Sequence, residues 1–563
     1  MRTVQARRLG EPDPAGLSGD PDELGLVALI ALAAGGMIGS GWFLGAYQAD
    51  SIAGSWAWVS WLLGGVLMTA LALVMVEMGR HRPENGGLVF WPSKSSGPLV
   101  TIVVAAALWV FYALNPASEA AAVVQALGVR RLYDYDSAHS GPTYLGILLS
   151  GVLMIPIIGA TVLGFRMVWR STVWLTAFKV FVPVAVAVLL IASGFDAHAA
   201  TRHPVQGGGV ARSVISALTS GGVIYAYIGF QGPLDLAGRV KRDGRFSEAA
   251  RLKIAVVGTL GAMIVLYTLL QIAYLGHGGW TPGDPDSPYT KFAAGIAVTG
   301  AGAVFLLRID SFLSPLGAGV VFATLLSEEV EAMSRGRLID DRLAVAVRPR
   351  WPRGSEAYVR ILAINLVLGW IELAVFGGDW VRMTAASSVL TLFVYAMPAV
   401  SLMSFAKYYD SHPDPRQPER FRIGRSWSFV AWFGFVGVTE VLYWAGWSVL
   451  WRAAVLLTCA ALIMLLLPVL SRRVERFLLY DASNPWRQRE AVPGLVVFAL
   501  YLGIVLILSR LGMSAPPVGA GVPAGHPVLD AVWGSLLAGV VGTVALLLLR
   551  RYSVRYQEIN PPK

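Results

Sequence analysis

A few ionisable and polar side chains interrupt apolar runs where a charge is expensive and needs a partner or a task. Lys179 stands in "WLTAFKVFVPVAV", one turn before Pro183. Arg308, Asp310, Ser311 and Ser314 fall within "LLRIDSFLSPLGAG", and Asn115 and Glu119 within "FYALNPASEA". On a helix Asp310 and Ser314 share a face, as do Arg308 and Ser311, whereas Arg308 and Asp310 point to different sides. Lys179 is a candidate proton carrier, or a lysine whose stem snorkels to the membrane surface. Arg308 could meet an anionic side chain of a ligand, or it and Asp310 could pair structurally with other helices. Asn115 could hydrogen-bond a ligand or cap the Pro116 kink. Glu119 is a second proton acceptor or a structural hydrogen-bond partner. Glu77 suits a gate or loop salt bridge, and Glu440 has no evident task.

Two glycine-rich stretches raise a different chemistry. "AGGMIGSGW" (34–42) places Gly35, Gly36, Gly39 and Gly41 within seven positions of an apolar run, and "SGGVIYAYIGFQG" (220–232) repeats its Gly-Gly-x-Ile opening. Glycine costs about 1 kcal/mol relative to alanine inside a helix, so both runs predict a broken helix. Close packing of small residues is the competing explanation, and Gly35/Gly39 and Gly41/Gly45 fit that spacing. Irregular backbone at membrane depth survives only when buried in protein or lining a cavity. A break exposes N–H groups that suit a carboxylate and carbonyls that suit an ammonium or cation. A ligand with both charges, an α-amino acid, matches a pair of such breaks.

The elements that must position these residues are membrane helices. Of 563 residues 55% are hydrophobic and 14% charged, with mean hydropathy +0.60, far from the quarter charged of a soluble domain. Runs of about 20 apolar residues, enough to cross about 30 Å of hydrocarbon, recur throughout. The fold class is an all-α polytopic membrane protein with about fourteen transmembrane helices. They are read at 23–48, 53–79, 99–128, 143–162, 171–193, 213–236, 253–275, 296–325, 359–376, 383–404, 428–449, 453–470, 492–508 and 528–549. Of the 45 Lys and Arg residues, 35 fall on the N-terminal side of these spans and 8 on the other, with Lys179 and Arg308 inside. The positive-inside rule then puts both termini in the cytoplasm, and the net charge of +10 orients the chain without implying a nucleic acid partner. Residues 1–22 are polar and lack a signal-peptide pattern. Trp42, Trp56, Trp58 and Trp61 are expected in an interfacial aromatic belt.

Spans one and six run in opposite directions and break at matching places, which predicts a five-plus-five inverted repeat. The resulting division is a tail (1–22), a first repeat plus span six (23–236), the rest of the second repeat (237–404), spans eleven and twelve (405–470), and a cytoplasmic linker with two additional spans (471–563). The polar segment 327–356 reads as a connector, 514–527 as a Gly/Pro-rich external loop, and the last two spans as an appendage.

"GGMIGSGWFLG", "ENGGLVFWP", "YAYIGFQGPLDLAGRVK" and "SFLSPLGAG" resemble the amino acid–polyamine–organocation (APC) superfamily of permeases over about residues 20–470. Within it the similarity is to bacterial proton-coupled amino acid permeases, aspartate–proton symporters among them. The resemblance implies a transporter core with discontinuous spans one and six. Ile38, Gly39, Ser40 and Gly41 would hold the substrate carboxylate, and carbonyls near Tyr225, Ala226 and Ile228 the α-amino group. Gly229 and Phe230 would shape the pocket and its gate. Lys179 would occupy the place of a cation site between spans one, five and eight and carry the coupled proton, with Asp310, Ser311 and Ser314 nearby. Where the family commonly has an acidic residue after Gly-Phe, this chain has Gln231, Gly232 and Pro233.

The expected function is secondary active transport of amino acids across the cell membrane by proton-coupled symport with alternating access. A polyamine or basic amino acid exchanger and a non-transporting receptor are the alternatives. An enzyme is not expected: no HExxH or GxSxG pattern occurs, the seven histidines read as loop residues, and Cys459 is the single cysteine. No cofactor or metal is expected, and the partners are an amino acid, protons and the lipid bilayer.

Overall fold

The computed structural model describes residues 23–134, 141–163, 165–205, 209–241, 246–277, 288–296, 300–339, 343, 345, 358–413, 421–470, 485–512 and 529–562. The expected tail (1–22) and external loop (514–527) lie outside them, as does most of the linker after residue 470. The first half contains α1 (Leu26–Met37), α2 (Gly41–Ala53), α3 (Ala57–His81), α4 (Gly87–Ser95), α5 (Pro98–Ala126), α6 (Tyr144–Gly159) and α7 (Phe165–Ala192). After a short α8 (Ala197–Ala200) come α9 (Val210–Ser220), α10 (Val223–Tyr227), α11 (Gly232–Asp235), α12 (Glu248–Lys253) and α13 (Thr259–Leu275). The remainder is α14 (Pro288–Ile296), α15 (Ala301–Arg335), α16 (Val359–Phe376), α17 (Trp380–Ser411), α18 (Arg425–Trp444), α19 (Trp447–Leu470), α20 (Val492–Gly512) and α21 (Ala531–Ile559).

Among the described residues eleven helices are long and apolar enough to cross a membrane. Every predicted span has a helical counterpart. Spans one (α1–α2) and six (α9–α11) are broken, α2 being counted with α3 in one of the eleven, and span eleven (α18) is not among them. The predicted connector begins later than expected, because α15 continues through Arg335.

Burial sorts the helices into an inner and an outer set. In α5 every residue from Leu99 to Ala126 is buried, and α17 is buried over most of its length. Around them α6, α7, α16, α19, α20 and α21 expose Leu, Ile and Val on one side, as a lipid-facing surface requires. Hydropathy does not by itself mark either helix as inner, since the outer helix α16 is no more apolar than they are.

The last two spans pack into the bundle. They pack on α17 and α18 along a seam of polar contacts: Tyr501 with Thr439 at 2.9 Å, Trp444 to Ser535 at 2.9 Å and Ser509 to the Tyr443 carbonyl at 3.0 Å. At the other end Ser553 meets Ser96 at 2.8 Å, and Gln557 donates to Ser404 at 2.9 Å. Glu440 lies on this seam beside Ser535 and Gly539. Such contacts hold helices together where no hydrophobic drive separates protein from lipid. Two of the four belt tryptophans also need correction. Trp42 and Trp61 are buried and donate to Asp310 and Gln271, at 3.1 and 2.8 Å. His203, in the loop before α9, is buried against Asp50 at 2.8 Å.

Candidate functional site

The two breaks meet. α1 stops at Met37, Ile38 leaves the helix with φ −88° and ψ 88°, and α2 starts at Gly41. Span six turns at Gly222, which is left-handed, and breaks after Tyr227; Ile228 is extended and Gly229 has φ +128°. A Cβ on Gly229 would lie 2.5 Å from the Gly36 carbonyl carbon and the Met37 nitrogen, and one on Gly41 would lie 2.9 Å from the Ala226 Cα. Glycine is therefore required at this crossing by backbone-to-backbone approach as well as by dihedral angle.

A helix end leaves unpaired carbonyls, and other helices supply their partners at the end of α1. Lys179 Nζ from α7 donates to the Gly35 carbonyl at 2.7 Å. Tyr267 from α13 donates to the Met37 carbonyl at 3.0 Å, and Thr176 to that of Ala31 at 3.1 Å. On the N–H side of the break, the Ser40 amide donates to Glu119 Oε2 at 2.8 Å. Glu119 Oε1 accepts from the Tyr225 hydroxyl at 2.9 Å, which also meets Ser118 at 2.7 Å. Trp380 Nε1 donates to the Ser40 hydroxyl at 2.8 Å. A carboxylate thus occupies the amide at which the sequence predicts a substrate carboxylate.

Asp310 sits within electrostatic reach of Lys179 and accepts from Ser314 at 2.6 Å and from Trp42 at 3.1 Å. Ser311 is buried but donates to the Arg308 carbonyl of its own helix at 2.8 Å. Arg308 does not join this group. Two positions along a helix rotate a side chain by about 200°, and Arg308 is exposed while Asp310 is fully buried. Asn115 is buried, and among the described residues its Oδ1 has no partner. Ile38, Ser40, Tyr225, Ala226, Ile228 and Phe230 are all buried, so this conformation encloses the site.

Sequence reasoning did not single out Trp380, Tyr267 or Thr176, and it ranked Glu119 below Lys179. Their types are ordinary for a buried helix, and no local spacing ties them to residues 31–41. The "ENGG" stretch acquires a structural task. Asn85 Oδ1 accepts from the Gly238 amide at 2.9 Å, and left-handed Gly86 donates its N–H to the Asp235 carbonyl at 2.9 Å. Nearby, the Leu24 amide donates to the Arg239 carbonyl at 2.8 Å, and Arg239 pairs with Glu328 at 2.8 Å. These contacts tie the start of α1, the 84–87 turn and α15 to the chain just after α11.

Two helices broken at a shared buried crossing are the architecture expected of a transporter, and the sequence comparison agrees. The family profile described as amino acid permease matches residues 24–472. The chain belongs to the amino acid permease family. The permease is 27% identical to the glutamate/serine transporter AimA of Bacillus subtilis over 507 residues, 87% of each chain. It is 24% identical to the aspartate-proton symporter of the same organism, over 76% of this chain and 79% of that one. An arginine/ornithine antiporter of Latilactobacillus sakei matches at 23% over 56% and 66%. The permease is an amino acid transporter and a multi-pass membrane protein, and these relatives are named as transporters rather than enzymes.

Proposed function

We propose that the permease lies in the cell membrane with both termini cytoplasmic and imports an amino acid together with protons. The observation that supports this is the holding of break one at both ends by ionisable groups. Lys179 lies on the Gly35 carbonyl at 2.7 Å and Glu119 on the Ser40 amide at 2.8 Å. A substrate carboxylate must displace Glu119 from Ser40, and protonation of Glu119 makes it the weaker competitor, because hydrogen bonds to an ionised group are about twice as strong. Lys179 keeps its grip on α1 while it is an ammonium. On losing its proton it weakens that grip, so the position of α1 follows the proton.

The site residues follow from this reading. The span-one amides from Ile38 to Gly41 hold the carboxylate, and carbonyls between Tyr225 and Ile228 hold the amino group. Gly229, Phe230 and Asn115 shape the pocket, and Lys179, Asp310, Ser311 and Ser314 form the proton-coupling side. Arg308 takes no part in selectivity. Relatives named for glutamate, serine and aspartate support a small polar or acidic cargo. Uptake of labelled glutamate, aspartate or serine into proteoliposomes, with and without an inward proton gradient, tests both points. Accumulation above equilibrium is expected only with the gradient. Equal uptake in both would favour an exchanger, and binding without uptake a receptor.

A further inference from the structure

A second buried polar group lies on the N-terminal side of the breaks and takes no part in holding break one. The Tyr112 hydroxyl of α5 donates to Asp235 Oδ2 at the end of α11, and Gln231 Nε2 reaches the same hydroxyl at 3.4 Å. Among the described residues Asp235 Oδ1 and both oxygens of Glu329 on α15 find no partner beyond each other, and the two carboxyls interact both by charge and across a side-chain hydrogen bond. Tyr395 of α17 brings a partnerless hydroxyl within reach of both charges. All five side chains are fully buried.

The surrounding charges do not neutralise this pair. Glu328 adds another carboxylate, which Arg239 engages at 2.8 and 3.0 Å. Arg335 acts on Glu329 from the end of the same helix but pairs with Glu331 at 3.8 Å. From α5 and α17 the facing groups are the Tyr112 and Tyr395 hydroxyls, and the 84–87 turn contributes the Gly86 amide. Two carboxylates buried side by side cannot readily both stay ionised. Among the described residues no cluster of three or more His, Cys, Asp or Glu could hold a metal ion, and a proton shared between the two carboxyls relieves their repulsion.

We infer that Asp235 and Glu329 form a second proton-binding site, sharing one proton that keeps the N-terminal side closed. Asp235 sits where closure is decided. Its carbonyl holds Gly86, α11 is only four residues long, and the chain just beyond pairs with Leu24 through Arg239 and Lys241. Loss of the shared proton sets two like charges face to face at low dielectric. The movable partner is α11, so repulsion opens the path toward the N-terminal side. This inference rests on membership of the permease family and is independent of whether Lys179 carries the coupled proton.

Infrared difference spectroscopy on the reconstituted full chain tests it without requiring transport. At neutral pH the wild type should show a protonated carboxylic acid C=O band that is lost in both Glu329→Gln and Asp235→Asn. Tyr395→Phe, which keeps the ring and removes only the hydroxyl, should shift that band in a protein that still folds. In counterflow exchange, which needs no gradient, Glu329→Gln should lose the acceleration the wild type gains as the pH is raised. A band unchanged in all three variants, or one that disappears on adding sodium, overturns the proposal. So does a Glu329→Gln exchange profile that superimposes on the wild type.

Discussion

Spans one and six break at facing points, yet they are held in different ways. Break one is served from far along the chain: Glu119 is 79 residues from Ser40, Lys179 is 144 from Gly35, and Tyr267 is 230 from Met37. Break six is served mainly from within. Gln231 caps the Gly229 amide two residues away at 2.8 Å, and the Ile228 amide returns to the Tyr225 carbonyl at 3.0 Å. Two of the distant partners are ionisable and the local ones are neutral. Protonation can therefore change the grip on break one directly, while the neutral cap at break six has no charge of its own to gain or lose.

Four substitutions would break or sharpen that contrast. Lys179→Ala carries the largest expected effect: accumulation driven by the proton gradient falls to the equilibrium level, while counterflow of labelled substrate persists. Gradient-driven accumulation that survives would dissolve the distinction between the two breaks. Gly229→Ala comes next. Its φ of +128° and the 2.5 Å approach to Gly36 leave no room for a methyl group. Strain of about 1–3 kcal/mol should lower thermal stability and reduce uptake roughly 10- to 100-fold at every pH. Glu119→Gln fixes that side chain in a neutral form. The charge-assisted hydrogen bond it loses is worth about 1–2 kcal/mol, so KM should change by roughly 10-fold and lose its dependence on pH between acid and neutral conditions. A KM–pH profile matching the wild type would show that Glu119 is structural. Gln231→Ala removes one neutral hydrogen bond, about 1 kcal/mol. A rise in KM of about 5-fold with an unchanged pH profile is expected, and a flattened profile would mean that break six also senses protons.

The Asp235–Glu329 pair extends the contrast to the next layer of the molecule. It is linked to break six through Gln231 and Tyr112, so a neutral cap next to the substrate site leads within two hydrogen bonds to a titratable one. The family's commoner acidic residue after Gly-Phe is absent here, and Asp235 lies four positions further on, still buried and still on span six.

Hydropathy, glycine content and charge asymmetry are local properties, so the all-helical multi-pass architecture and the positions of both breaks were legible in the sequence. They follow from what each stretch of chain can do in hydrocarbon regardless of its neighbours. Which side chains reach those breaks was not legible. Arg308 and Asp310 carry equal weight on paper, and only the rotation of α15 within the bundle buries one and exposes the other. Trp42 and Trp61 look like interfacial residues until packing buries them beside Asp310 and Gln271. Glu440 looks idle until α21 is laid against it. Lys179, Glu119 and Asp235 acquire partners from helices distant in sequence, because a buried ionisable group needs whatever polar group the packed bundle brings within about 3 Å, and that distance is decided by packing alone.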